Sequence, residues 1–436
     1  MANDASNGER TDGDETDAFI FSWFEPLVVH SSDRDRLVLA AVVFAVLFSQ
    51  LLLYPGIATL VDVLGADAAS SPVASTTLDA SMWFLVSEFG AYVVFVGVWG
   101  AISDVTGRRT PFIVLSALGG AASYAALAVV PTLGTIPFEG VLLLRVLQGA
   151  MTIGAFSLTM TMLMDLDGGH GRNMGAAGIA IGLGAAMGAP IGGQLTELDP
   201  VAPLLAAATL LVCVGLLVSR LEDRTPASRR TARALLEGVR KRPTLSLPYA
   251  FGFVDRMTAG FFALVGTLYF QETFNLDPGA TGLLLACFFA PFALLQYPLG
   301  TLSDRIGRTI PVVVGSACYG IGILGVGAAP SVGSAAGAMI VVGILGALVS
   351  PATMALVTDL ADERERGTAM AGFNVAGSLG FLGGFLIGGS VAGSYGYDLA
   401  FLVVGGLEIA IALVTIPIFL RLSLESGAKS SPQADR

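Results

Sequence analysis

The sequence predicts an all-α polytopic membrane protein with twelve transmembrane helices in two pseudo-symmetric six-helix bundles. Three observations carry this. Hydrophobic residues make up 54% of the chain and charged residues 13%, about half the charge of an average soluble domain, and mean hydropathy is +0.75. Apolar runs of roughly 20 residues, the length that crosses a bilayer, recur throughout. The polar connection Gly100-Ala101-Ile102-Ser103-Asp104-Val105-Thr106-Gly107-Arg108-Arg109-Thr110-Pro111 returns as Gly300-Thr301-Leu302-Ser303-Asp304-Arg305-Ile306-Gly307-Arg308-Thr309-Ile310-Pro311. A connection repeated in register marks a duplicated unit.

Residues 1–36 read as a polar, acidic cytoplasmic tail without the charged-then-apolar pattern of a secretory signal. The spans follow at about 37–57, 79–101, 111–130, 138–163, 173–195, 201–219, 246–270, 280–301, 311–329, 334–357, 368–390 and 398–420. They group as an N-terminal bundle, 37–219, and a C-terminal bundle, 246–420, with a cytoplasmic tail at 421–436. Gly and Pro within the spans suit membrane helices. Small residues such as Gly178-x-x-x-Gly182 predict close helix approach.

Orientation follows from the basic residues. The odd-numbered connections hold no Arg or Lys. The even-numbered ones hold Arg108, Arg109, Arg172, the 220–242 cluster, Arg305, Arg308, Arg364 and Arg366. The positive-inside rule puts those connections and both termini in the cytoplasm. The linker 220–245 carries Ala232, Leu235, Leu236 and Val239 at helical spacing. It reads as a short amphipathic helix on the inner membrane face or as a disordered basic tether.

Other classes are disfavoured. A formal net charge of -11 does not suit a nucleic-acid partner. Cys213, Cys287 and Cys318 lie far apart in apolar runs, where buried thiols are expected, and His30 and His170 lie in polar segments, so no metal site or disulfide framework is expected. There is no Walker-type phosphate loop and no nucleophile–base pattern. Neither an enzyme nor a cofactor is expected.

Several motifs resemble those of the major facilitator superfamily, over about 37–420. That family's G-x-L-x-D-R-x-G-R-[KR] loop is matched by 100–109, with Ile102 for Leu and Val105 for the first Arg. The second copy keeps Gly300, Asp304, Arg305, Gly307 and Arg308. Arg145-Val-Leu-Gln148-Gly149 is similar to its R-x-x-Q-G in helix 4. Gly184-Ala-Ala-Met-Gly188-Ala189-Pro190-Ile-Gly192-Gly193 resembles the exporters' G-x-x-x-G-P-x-x-G-G, with the proline one place late. The resemblance implies the twelve-helix fold, and the helix 5 pattern points to the drug/proton antiporter branch. It also implies a single-chain transporter in the cell membrane, with a small molecule and protons as partners.

The repeated loops read as cytoplasmic latches. Asp104 and Asp304 end helices 2 and 8 and can face the positive end of a helix in the other bundle. The resemblance implies helix 11, near Gly367, for Asp104. By pseudo-symmetry it implies helix 5, near Asn173, for Asp304. Arg108 or Arg109 can pair with Asp165, and Arg308 with Asp359. The cross-bundle contacts would form when the inner side is closed and bias a reversible equilibrium.

Ionisable groups within the membrane are costly and need a reason. Glu88 lies near the middle of helix 2, as a proton-carrying or a structural carboxyl. Arg145 lies roughly 10 Å into helix 4, at about 1.5 Å per residue, with Gln148 on the same face. Arg145 suits an anionic group or a nearby carboxylate. Asp255 and Arg256, in helix 7, suit a second proton or cation site or a gate salt bridge. Glu408, in helix 12, reads as structural, and Gln50 and Gln296 as neutral hydrogen-bonding groups of a cavity. Phe261, Phe262, Phe288 and Phe289 read as packing residues more than as a pocket lining. Helix 1 lacks the acid that many proton-coupled exporters of this family carry, so a proton must ride elsewhere.

The favoured activity is proton-coupled efflux of amphipathic or drug-like compounds by alternating access. The alternatives are an uptake symporter or facilitator for a metabolite and, from another class, a non-transporting membrane sensor or a lipid scramblase.

Overall fold

The computed structural model describes residues 31–65, 75–132, 136–166, 170–223, 243–362 and 366–429. Among these the chain is helical, with no strand. In chain order the long helices are α1 (Ser31–Leu51), α2 (Thr77–Thr106), α3 (Thr110–Val129), α4 (Phe138–Met164), α5 (His170–Leu198) and α6 (Ala202–Val218). Then come α7 (Ser246–Phe261, a π turn Phe262–Gly266, and Thr267–Phe274), α8 (Pro278–Ile306), α9 (Thr309–Gly327) and α10 (Val332–Leu360). Last are α11 (Arg366–Gly383, a π turn Gly384–Gly388, and Gly389–Tyr395) and α12 (Tyr397–Lys429).

Ten of these helices are long and apolar enough to cross a membrane. The other two are α6, shorter at 17 residues, and α1, which opens with Asp33, Arg34, Asp35 and Arg36. Three boundaries differ from those expected. The first helix starts at Ser31, inside the segment read as a tail, because Asp33 suits the positive N-terminal turn. It also stops at Leu51, with a separate short helix at Ile57–Val63. The last helix runs on to Lys429, through most of the expected C-terminal tail. The amphipathic stretch expected in the linker lies outside the described residues.

Local chemistry explains several helix ends. Thr76 caps α2 by accepting from the Asp79 N–H at 3.0 Å. Asp277 caps α8 by accepting from the Ala280 N–H at 2.7 Å, with Pro278 at the first helical position. Gly107 and Gly307 follow α2 and α8 at φ 65° and 88°, a region closed to most side chains. That is why both copies of the repeated loop place glycine there.

The core forms where backbones meet. On α5, Gly184, Gly188 and Gly192 present one stripe to α1, and a Cβ on Gly192 would fall 2.1 Å from the Leu52 carbonyl oxygen. Gly182 faces Ala293 on α8, whereas Gly178 faces open space. The expected Gly178/Gly182 contact is therefore made through Gly182 alone. Between α7 and α11, a Cβ on Gly260 would fall 2.2 Å from the Phe381 oxygen, and one on Gly384 2.2 Å from the Met257 oxygen. Cys213 and Cys318 lie on exposed faces and Cys287 is half-buried, so the expected burial of the thiols is not seen. An apolar span has an outer face as well as an inner one.

The two ends of the helix array differ. At the arginine-free end the first six and last six helices touch closely. Gly193 on α5 abuts Pro278, with a virtual Cβ 2.2 Å from its carbonyl oxygen, and the Gly279 N–H donates to Glu197 at 2.8 Å. Gln271 donates to the Pro55 carbonyl at 2.5 Å. Ser390 lies 3.9 Å from the Met82 sulfur, and deeper in, toward the middle of the helices, Phe89 of α2 stacks on Phe381 of α11 with ring centroids 4.6 Å apart. At the arginine-bearing end, side chains added at Gly100, Gly107, Gly175, Gly178 or Gly307 would meet open space.

Candidate functional site

At the middle of α2 and α4 lies a fully buried ion pair. Arg145 Nη2 donates to Glu88 Oε2 at 2.5 Å, and both side chains are 0% exposed. Arg145 Nη1 donates to Gln148 Oε1 at 2.6 Å. Gln148 Nε2 in turn donates to Glu88 Oε1 at 3.3 Å and to Thr152 Oγ1 at 3.1 Å. The Tyr92 hydroxyl completes the carboxylate's shell at 3.0 Å. The guanidinium lies 4.4 Å from the Phe84 ring centroid, within cation–π range.

The sequence sets this geometry in three ways. Arg145, Gln148 and Thr152 recur at helical spacing, so they share one face of α4. Glu88 and Tyr92 do the same on α2. Gly149 then brings the two helices together, since a Cβ there would come within 2.6 Å of the Glu88 carbonyl oxygen. The glycine of Arg-x-x-Gln-Gly thus belongs to the site as much as the charged residue does.

The pair's neighbourhood carries spare donors. Arg145 Nε, Gln50 Nε2 and the Tyr54 hydroxyl are buried and make no hydrogen bond to a described residue. Tyr54 lies within electrostatic reach of Glu88 and Arg145 and beside Gln50. The sequence reading did not include Tyr54, Tyr92, Tyr124 or Thr152. Their helical offset from Glu88 and Gln148 marks Tyr92 and Thr152, but nothing local marks Tyr54 or Tyr124.

The other embedded candidates lie elsewhere. Asp255 is 6% exposed on α7 beside Arg256 and Ser350. Arg256 is half-buried, packed near Gly377 of α11. Gln296 is half-buried on α8. Phe261, Phe262, Phe288 and Phe289 pack in the hydrophobic core. On the outer faces of α2 and α4 an apolar groove of about 580 Å³ is lined by Phe95, Val98, Trp99, Leu143, Leu147 and Met151.

At the arginine-bearing end, Arg109 pairs with Asp165 and Arg308 pairs with both Asp304 and Asp359, the latter at 3.3 Å. Arg108 is exposed. Asp104 makes no side-chain hydrogen bond to a described residue, and Asp304 is engaged by its own loop's Arg308. The expected partners across the halves, the starts of α11 and α5, are not brought to them. At α5, Asn173 instead accepts from Arg36 at 2.7 Å and donates to the Leu166 carbonyl at 2.6 Å. A contact absent from the sequence reading caps α3: Asp223, just beyond α6, accepts from the backbone N–H groups of Arg109 at 2.9 Å and Thr110 at 3.3 Å.

Comparison with known proteins agrees with this architecture. The tetracycline resistance protein, class G, of Vibrio anguillarum is 28% identical over 245 residues, covering 53% of this chain and 60% of that protein. The match therefore spans less than two thirds of that relative. A bacterial homolog of the human lysosomal transporter Spinster, solved inward-facing and unoccupied, superposes with a TM-score of 0.73 at 13% identity, covering 90% of this chain and 98% of that one. A D-xylose-proton symporter gives 0.70 at 15% identity, covering 87% and 97%. These low identities carry the fold alone. The sequence also matches the family profile described as Major Facilitator Superfamily over residues 39–269 and 249–435. With that match spanning nearly all of the helices described, the chain is a multi-pass membrane protein that belongs to the major facilitator superfamily.

Proposed function

We propose that this chain exports small amphipathic or drug-like compounds across the cell membrane in exchange for protons. Two six-helix bundles, 37–219 and 246–420, would rock about a site near the midplane, with both termini in the cytoplasm. The observation that carries the reading is the Glu88–Arg145 pair, fully buried between two apolar helices with donors around it that bond no described residue. An embedded carboxylate held by one cation can give up that partner for a proton or a cationic substrate, at the cost of leaving the Arg145 charge to its remaining acceptors, so the exchange couples the two events. The similarity to a tetracycline resistance protein supports outward transport, as does the helix 5 glycine pattern.

The latch reading stands beside it. Arg109–Asp165 and Arg308–Asp304–Asp359 hold the two loops in shape. Asp104 is the group left to meet α11 when the arginine-bearing end closes. A second reading, uptake of a metabolite with a carboxylate or hydroxyl group, is favoured by the Arg145 Nε, Gln50 and Tyr54 donors, which bond no described residue.

The test is proton release by the purified protein on addition of cationic lipophilic dyes or anionic metabolites, with Glu88→Gln and Asp255→Asn beside the parent. Export predicts that a dye displaces a proton and that one substitution abolishes release while binding survives. Binding of a metabolite alone, with proton uptake or no proton change, would replace export by uptake.

A further inference from the structure

Glu408 is a fully buried carboxylate on α12, a helix read from sequence as support. Its Oε2 accepts from Ser316 of α9 at 2.6 Å and its Oε1 lies 3.3 Å from the Thr258 hydroxyl of α7. Thr258 stands three residues after Asp255, on the same face of α7. Asp255 lies within electrostatic reach of Glu408. Tyr319 of α9, 1% exposed, lies in the field of both carboxylates. Its hydroxyl makes no hydrogen bond to a described residue.

Among the described residues the titratable groups in reach of Glu408 are Asp255 of α7 and Tyr319 of α9, with Arg256 beside Asp255. Arg256 is the cation among them, and its field falls on Asp255 and Tyr319. Asp255 has that cation within electrostatic reach, while Glu408 has hydroxyls for company. A buried charge in that position is costly. A neutral carboxyl fits every contact. Thr258 can turn its hydrogen to the Val254 carbonyl at 3.3 Å and accept from the Glu408 O–H, while Ser316 still donates to Oε2. Asp255 lies one helical turn before Thr258 on α7 and is the more exposed of the two acids.

We propose that Glu408 is a proton-binding site of this transporter, loaded and unloaded through Asp255. The step is a simple exchange: a proton from water passes by way of Asp255 and the Thr258 hydroxyl to the Glu408 carboxylate, and returns the same way. The inference rests on the proton-coupled reading and locates a carrier in the C-terminal half, apart from Glu88.

The test is infrared difference spectroscopy of the full chain in liposomes across a pH series, comparing the parent with Glu408→Gln and Asp255→Asn. Glu408→Gln keeps the neutral shape and is expected to remove one protonated-carboxyl band. Asp255→Asn is expected to keep that band and slow its hydrogen–deuterium exchange at least tenfold. Should Glu408→Gln fail to fold, Ser316→Ala serves instead, since loss of the hydrogen bond to Oε2 must shift the band. A band untouched by Glu408→Gln or Ser316→Ala overturns the inference. So does a band that vanishes when sodium chloride replaces choline chloride at fixed pH, because a metal cation would then be the occupant. Dye efflux driven by a pH gradient separates the two readings. A parent that exports nothing, with the band still lost in Glu408→Gln, ends the export reading and leaves the proton site standing. A parent and a Glu408→Gln variant that export with the same proton count leave export standing and end this inference.

Discussion

Gly149 of α4 sits against the backbone of Glu88, so close that a single added carbon would come within 2.6 Å of the Glu88 carbonyl oxygen. The ion pair one turn away depends on that approach. Gly149→Ala is therefore expected to push α4 off α2 and to destabilise the protein by about 1–3 kcal/mol, as overpacking does. Thermal unfolding in detergent measures this, and Gly90→Ala, where an added carbon meets open space, is the control expected to stay near the parent.

Removing one partner of the buried pair leaves the other uncompensated. Glu88→Ala and Arg145→Ala are each expected to cost about 3–5 kcal/mol. The double substitution Glu88→Leu, Arg145→Met is expected to recover much of that loss, because two apolar groups of similar size need no counter-charge. A double-mutant cycle on unfolding free energies checks the coupling. Transport should stay lost in the double variant if the pair is functional.

Met82 and Ser390 touch across the arginine-free end, with the sulfur and hydroxyl 3.9 Å apart. In a background lacking Cys213, Cys287 and Cys318, Met82→Cys with Ser390→Cys is expected to cross-link readily and to arrest transport until reduced. Asp104→Cys with Thr368→Cys, at the opposite end, is expected to cross-link only under conditions that open the first pair. Simultaneous ready cross-linking of both would refute reciprocal opening.

Much of this was legible in the sequence, and the limits have physical causes. The all-helical membrane architecture, the repeated loops and the embedded charges follow from hydropathy and spacing, because a bilayer leaves few solutions for backbone polar groups. Arg109–Asp165 and Arg308–Asp359 were also accessible, since the repeat presents each pair twice. The pairing of Glu88 with Arg145 was not, although both residues stood out. Their contact spans 57 residues and is set by the rotation of α2 about its own axis, which its nearly uniform apolar surface does not reveal. The full burial of Glu408 was hidden for a similar reason, as position in a peripheral helix says nothing about which way a side chain points. Asp223 was missed because a cap supplied from 114 residues away has no local signature.

That remote cap gives a further expectation. Asp223→Ala removes the acceptor for two N–H groups at the start of α3 and is expected to cost about 0.5–2 kcal/mol, the range for lost N-caps. Asp223→Asn should retain most of the effect. Hydrogen exchange at Arg109 and Thr110 reads the change directly, and unaltered exchange in Asp223→Ala would show that water replaces the cap.

The Glu88–Arg145 pair has an electrical consequence. Moving one unpaired elementary charge through the whole membrane potential is worth about 2.3 kcal/mol per 100 mV. A carboxylate and a guanidinium held at 2.5 Å travel as a compact dipole with no net charge, so they can shift through the bilayer with little electrical work. Voltage sensitivity of the transport cycle would then report the moments when that pair is broken or when a proton or charged cargo is aboard. A transient charge movement on substrate addition in the parent, absent from Glu88→Leu, Arg145→Met while substrate still binds, would trace the moving charge to the separation of these two residues.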